Sequence, residues 1–164
     1  MQHYNHLLEQ AYQEIGDNQP AKALQTFREA SVLKPDEPEP LIQLALLFEH
    51  FDDIQGAIHL LEKAVSIDSE SAFAVLKLGL MHYETGDVQK SEPHLRKGTQ
   101  LIENTTADAR AVLNEHGHED LDGMLDKLSE LEETAKLGRE LLLEITRSEQ
   151  ESPSIDASEA VSSQ

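Results

Sequence analysis

The octet Ala57-Ile58-His59-Leu60-Leu61-Glu62-Lys63-Ala64 decides the fold, because the chain carries it three times. Thirty-four residues earlier stands Ala23-Leu24-Gln25-Thr26-Phe27-Arg28-Glu29-Ala30, and 34 residues later stands Ser91-Glu92-Pro93-His94-Leu95-Arg96-Lys97-Gly98. A small residue opens each copy (Ala23, Ala57, Ser91). A large one follows four places on (Phe27, Leu61, Leu95), and a second small one closes it (Ala30, Ala64, Gly98). Positions i and i+4 share a helix face, so each copy reads as a helix whose small residues let a second helix approach and whose large residue fills the space between them. Self-similarity at a fixed period of this length is the mark of a stacked array of units.

The helix ahead of each octet follows the same period. Leu44-Ala45 with Phe48, and Leu78-Gly79 with His82 and Tyr83, stand 34 apart. Leu8 with Ala11 and Tyr12 fits if the first turn, at Gly16-Asp17-Asn18-Gln19-Pro20, is two residues longer. Gly16-Asp17, Asp52-Asp53 and Gly86-Asp87 punctuate the pairs: Gly supplies the left-handed conformation past a helix end, and Asp caps the next helix. Pro20 and Pro93 are expected in the first turn of a second helix, where a missing N–H costs little. A 34-residue helix-turn-helix unit with these small and large positions resembles the tetratricopeptide repeat (TPR) family, most closely in the run Leu78 to Tyr83 with Gly86-Asp87 after it. The resemblance covers three copies, about 4–37, 38–71 and 72–105. It departs from the family in having no Trp, and in Ser69 and Glu103 where the proline represented by Pro35 would recur. It implies an all-α, right-handed solenoid of three TPR helix pairs.

Beyond these repeats, over 1–105, two further regions are expected: C-terminal helices over 106–147 and a tail over 148–164. Residues 106–116 read as a short helix with Thr106 as its cap and Gly117 as its stop. Residues 119–147 read as one long helix with apolar positions Leu121, Met124, Leu128, Leu131, Ala135, Gly138, Leu142 and Ile145, and with Leu125, Leu137, Leu141 and Leu143 widening the face. A solenoid leaves its last apolar face uncovered, so this helix is expected to cap the third repeat. The other use of such a seam is a weak homodimer, but Ala135 and Gly138 make a poor coiled coil. Six Ser and only two large aliphatics, Ile155 and Val161, mark Ser148 to Gln164 as a disordered tail.

Charge and composition narrow the function. The 164 residues hold 13 Lys and Arg against 32 Asp and Glu, a net charge of −19. Nucleic acid and anionic membrane surfaces both require clustered cations, so neither is an expected partner. The absence of cysteine excludes disulfides, thiolate metal sites and cysteine nucleophiles. No basic, apolar leader opens the chain, and no apolar run approaches the roughly 18 residues of a membrane span, so a cytoplasmic protein is expected. His116-Gly117-His118-Glu119-Asp120 gathers metal-capable groups, but Gly117 separates the two histidines at a helix break, which does not build a rigid ligand face. No phosphate-binding loop and no G-x-S-x-G elbow is present. No catalytic residue, metal or cofactor is expected.

In the TPR family the first helices line a concave surface that usually binds peptides. Subtracting the packing positions leaves His3, His6, Gln10 and Gln13 from the first repeat. From the second come Glu39, Ile42, Leu46, Glu49 and His50, and from the third Phe73, Leu76, Lys77, Leu80 and Tyr83. This reads as a groove that is polar at one end and apolar at the other. The expected function is a non-catalytic interaction module whose groove holds a protein or peptide with apolar side chains. The alternative use of the stripe is internal, with 106–147 folded back against it. Only Lys77 is basic, so the carboxylate clamp of TPR co-chaperones is not expected. A looser resemblance is to the translocator chaperones of type III secretion, small acidic three-TPR proteins that shield apolar segments of a client. Those carry a helical segment before the first repeat, whereas this sequence opens inside its own.

Overall fold

The computed structural model describes residues 2–116 and 122–151. These form α1 (Gln2–Gly16), α2 (Pro20–Leu33), α3 (Glu39–His50), α4 (Ile54–Ile67), α5 (Ala72–Glu84), α6 (Val88–His116) and α7 (Asp122–Glu151), with no strand among the described residues. The helices pack as the pairs α1/α2, α3/α4 and α5/α6. The pairs stack in chain order through α2 on α3 and α4 on α5, and α7 lies along α6.

Three turns of one design set the register. The amides of Gln19, Asp53 and Asp87 donate to the carbonyls five residues back, Glu14 at 2.8 Å, Phe48 at 2.9 Å and His82 at 2.8 Å. The residue before each amide takes a positive φ: 56° at Asn18, 61° at Asp52 and 79° at Gly86. This closure of a helix end needs the left-handed region, which Gly adopts freely and Asn and Asp tolerate. Asn18, Asp52 and Gly86 are 34 residues apart, so the expected two-residue lengthening of the first turn is absent. Gly16 is simply the last residue of α1, and Asn18 makes the turn. Ala11, Ala45 and Gly79 are therefore equivalent, and all three are buried.

The repeated small and large positions form the core. Ala23, Ala57 and Ser91, Phe27, Leu61 and Leu95, and Ala30, Ala64 and Gly98 are all buried. At Gly79 an added Cβ would come within 2.7 Å of the Leu95 nitrogen, so the small residue is what allows α5 and α6 to cross closely. Ser91 keeps its hydroxyl satisfied there by donating to the Gly79 carbonyl at 2.9 Å.

Two boundaries differ from expectation. No separate helix occupies 106–116, because α6 runs unbroken from Val88 to His116. Thr106 caps nothing; it is buried inside α6 and donates to the Glu103 carbonyl at 3.1 Å. The first repeat ends just before Pro35, and the second ends where the Asp68 carboxylate accepts from the Glu70 amide at 2.9 Å. The third has Glu103 at the place of Pro35, a good helix former, so nothing stops the helix. Since α6 begins at Val88, Pro93 lies inside the helix and not in its first turn. It lies on the exposed side of the helix, where a carbonyl left without its intrahelical N–H is open to solvent.

The long C-terminal helix is present, but it continues to Glu151, so Ser148 opens no tail. Its seam turns inward. Leu128, Ala135, Gly138 and Ile145 are buried, and Ala135, Ile145, Leu131 and Leu142 cluster with Leu76 of α5 and with Leu95 and Ile102 of α6. An added Cβ at Gly138 would meet Thr99 Oγ1 at 2.4 Å and Leu76 Cδ1 at 3.1 Å. At the rim Arg110 grips Glu132 through Nε at 2.6 Å and Nη2 at 2.7 Å, and Arg139 pairs with Glu103. Gly117 to Leu121, which include most of the histidine-acid cluster, and the tail beyond Glu151 lie outside the described residues.

Candidate functional site

The register assigns five rows across the first helices: Asn5, Glu39 and Phe73; Leu8, Ile42 and Leu76; Glu9, Gln43 and Lys77; Tyr12, Leu46 and Leu80; Ile15, Glu49 and Tyr83. Side chains from these rows tie each first helix to the next. The Tyr12 hydroxyl donates to the Glu39 carboxylate, which also accepts from Gln43 Nε2 at 3.0 Å. Lys77 Nζ donates to Glu49 Oε1 at 2.8 Å, with both side chains half-buried. The Tyr83 hydroxyl meets the Glu144 carboxylate of α7. Burial, and then the Glu39 carboxylate, raises the Tyr12 pKa; at Tyr83 the Glu144 hydrogen bond leads and burial follows. Both phenols thus stay protonated donors, and α1, α3 and α5 form one laced face.

The predicted groove residues separate on this face. Leu46 is half-buried and Phe73 is 40% exposed. Leu80 and Tyr83 are half-buried, packed on the cluster that contains Leu131, Leu141 and Leu142 of α7. Ile42 and Leu76 are interior; Leu76, at 1% exposure, lies beneath α7. Glu49 and Lys77 satisfy one another. His50 is exposed, its ring edge-on to Phe51.

His6, Gln10 and Gln13 belong to another surface, because no insertion shifts the first repeat. They are equivalent to Pro40, Leu44 and Leu47 and to Ala74, Leu78 and Met81, the residues with which α3 and α5 pack on the pair before them. On α1 these positions face outward at the end of the described stack and are exposed, as is His3 beside Leu7, Val32 and Leu33. In their place the face holds Leu8, Tyr12 at 43% exposure and Ile15 at 40%. The end of the groove expected to be polar therefore carries Leu8, Tyr12 and Ile15 alongside Asn5 and Glu9. The missed signal was the strict 34-residue spacing of Asn18, Asp52 and Gly86.

A second, polar cavity of about 440 Å³ opens between α4, α5 and α6, lined by His59, Glu62, His82, Thr85, Asp87 and Lys90 among others. No group of three His, Cys, Asp or Glu among the described residues is placed to hold a metal ion. Among the same residues no helix is long and apolar enough to cross a membrane.

No protein-family model and no characterised protein sequence matches the chain. Solved structures do. A T3SS complex from Aeromonas hydrophila superposes with a TM-score of 0.67 at 12% identity, over 92% of this chain and 85% of that one. The Sgt2 TPR domain from Aspergillus fumigatus gives 0.59 at 18%, over 99% and 93%. The fold is that of a tetratricopeptide-repeat solenoid. PcrH, solved in complex with the chaperone-binding region of PopD, gives 0.63 at 12% identity, over 88% of this chain and 92% of that one. At such identities the likeness is one of fold. The face laced by Tyr12, Glu39, Glu49 and Lys77 is the first-helix face of this solenoid, and α7 closes its last repeat.

Proposed function

We propose that the chain is a non-catalytic protein-binding module that holds an extended polypeptide with apolar side chains along the face of α1, α3 and α5. The observation that carries this is the row of apolar side chains left open there. Tyr12, Ile15 and Phe73 are each about two-fifths exposed, with Leu46 and Leu80 between them, on a chain of net charge −19. Single exposed apolar residues are ordinary; three of them on the two outer first helices of one face, with half-buried Leu46 and Leu80 on the same face, support an interaction surface. The lacing keeps that row ordered before a partner arrives, which reduces the entropy lost on binding. The PcrH complex supports the reading as a solenoid of like fold solved with a polypeptide. A second reading, a chaperone shielding apolar segments of a client, is favoured by the likeness to PcrH over most of both chains. The two separate by whether the partner stays soluble when produced alone.

The test is selection of displayed peptides on the full chain, followed by binding to Ile15→Asp with Phe73→Asp. Both side chains are exposed, so the double variant should keep its helical content and melt within about 3 °C of wild type while losing at least about tenfold in affinity. Leu80→Asp is the packing control, and it should melt well below wild type because it places a charge against the α7 cluster. Unchanged affinity in the double variant, or no peptide selected at all, would falsify the proposal.

A further inference from the structure

We infer that the first helix pair docks on a second copy of this chain, through the apolar cavity between the start of α1 and the end of α2. The cavity has a volume of about 490 Å³ and is lined by His3, Leu7, Arg28, Glu29, Val32 and Leu33. Of these, Leu7 belongs to the core, where it clusters with Tyr4 and Ala30. Val32 and Leu33 do not: Val32 is 77% exposed and Leu33 47%, and Val32 is the most exposed large apolar side chain among the described residues. The repeat shows that the fold does not require it. Val32 is equivalent to Ser66 and Gln100, which are also exposed and are polar. An apolar side chain where the other repeats keep a polar one adds nothing to the chain's own core, and beside an apolar cavity it marks a surface that associates.

Charge points to a second copy as the occupant. A net charge of −19 would keep copies apart if it were evenly spread. It is not. Residues 2–34, which make α1, α2 and the turn between them, hold three Lys and Arg against four Asp and Glu, whereas α7 at the other end of the stack holds four against nine. Two copies that meet at their first pairs bring nearly neutral surfaces together and keep their acidic ends apart. The rim of the cavity is also complementary to itself. Arg28 and Glu29 are both exposed; the Arg28 guanidinium makes no hydrogen bond or ion pair among the described residues, and Glu29 accepts only from Gln25 Nε2 at 3.4 Å. In a two-fold contact residue i of one copy meets j of the other and j meets i, so each Arg28 faces a Glu29 while Val32 and Leu33 close over the cavity. The copies do not continue the solenoid, because a further pair stacked on α1 would sit on His6, Gln10 and Gln13, polar where the repeats use apolar residues between them. None of the six lining residues is in the five rows of the α1, α3 and α5 face, so the dimer stands or falls independently of what that face binds.

The test is the mass of the full chain by sedimentation equilibrium from about 1 to about 200 μM. Wild type should move from monomer toward dimer mass across that range and go no further, because a two-fold contact closes on itself. Val32→Asp should keep its helical content by circular dichroism and self-associate at least about tenfold more weakly, since two unpaired carboxylates would be brought against each other in an apolar contact. Val32→Gln, which installs the residue of the third repeat, should weaken the dimer in the same direction. Arg28→Glu and Glu29→Arg should each weaken it as well, and an equimolar mixture of the two should restore it, because only the mixed pair places opposite charges at both contacts. A chain that stays monomeric throughout overturns the inference. So does a dimer that Val32→Asp and Val32→Gln leave unchanged, since its contact then lies elsewhere. A mixture that associates no better than its parts overturns the pairing of Arg28 with Glu29 across the axis.

Discussion

Gly98 stands where the two earlier repeats carry Ala30 and Ala64, and by sequence alone alanine there is a conservative change. Its surroundings make it otherwise. A Cβ at Gly98 would lie 2.5 Å from the Leu76 nitrogen and 2.6 Å from its Cα, backbone atoms that cannot swing aside. The last crossing is tight because Leu76 is pressed from two sides, by α6 at Gly98 and by α7 at Gly138. Gly98→Ala gains up to about 1 kcal/mol in helix propensity, against an overpacking cost of about 1–3 kcal/mol. With backbone as the obstacle the cost wins, and the variant should lose roughly 1–2 kcal/mol in chemical denaturation. Gly16→Ala, with nothing within 4 Å and no positive φ, should be neutral or stabilising. If Gly98→Ala unfolds at or above the wild-type midpoint, the account of this crossing is wrong.

At the scale of helix pairs, one site recurs with three solutions. Between the paired helices, Thr26 donates to Glu14 at 2.7 Å, Phe48 and Leu60 fill the equivalent place with apolar contact, and His82 faces His94 with ring centroids 5.8 Å apart. His82 is buried on α5. Around it stand His59 and Glu62 on α4, Asp87 in the turn before α6, and Lys90 and His94 on α6, with Asp87 and Lys90 paired at 3.0 Å and His94 Nδ1 donating to the Lys90 carbonyl at 2.7 Å. Burial first, and His94 second, hold the His82 pKa below the ordinary histidine range. The unfolded chain therefore takes up this proton more readily. The stability concerned is complete above the unfolded pKa near 6.5 and is lost as pH falls below it toward the lower folded value. Melting midpoints measured from about pH 7.5 down to about pH 5 should drop by several degrees more in wild type than in His82→Phe with His94→Leu, which installs the pair of the second repeat. Identical pH profiles for the two proteins would rule the histidine pair out as the cause. The same scale holds the merged α6: its continuation past residue 105 follows from the lack of a breaker at Glu103, a local fact that a search for caps at Thr106 overlooks.

For the whole molecule the deciding element is α7. It covers Leu76, Leu95 and Ile102, which would otherwise form the bare end of the stack. Leu128 and Ile145 alone are buried enough to contribute about 1.5–3 kcal/mol each. Against a total of roughly 5–15 kcal/mol for a folded domain, ending the chain after His116 should cost most of the stability, seen as a melt at least about 10 °C lower or as aggregation. Ending it after Glu151 should leave the midpoint unchanged. A His116 truncation that melts like wild type would mean that α6 needs no cover.

The period of 34 determined the three helix pairs and their small and large core positions, from Ala23 and Phe27 to Leu95 and Gly98, because packing between neighbours constrains residue size at the same place in every repeat. The alternation of apolar residues along 128–145 likewise marked a helix with one face to bury. The sequence could not say which surface that face would meet, since an amphipathic helix serves equally against its own chain or another; only the packing on Leu76, Leu95 and Ile102 decided it. The face of α1 was misread by two residues. Gly16 carries the stronger turn signal, yet Asn18 tolerates the left-handed φ, and the hydrogen bond from Gln19 to Glu14 placed the turn there. That choice moved Tyr12 and Ile15 onto the first-helix face and His6 and Gln10 off it, because on a helix a shift of two residues turns a side chain to the opposite side.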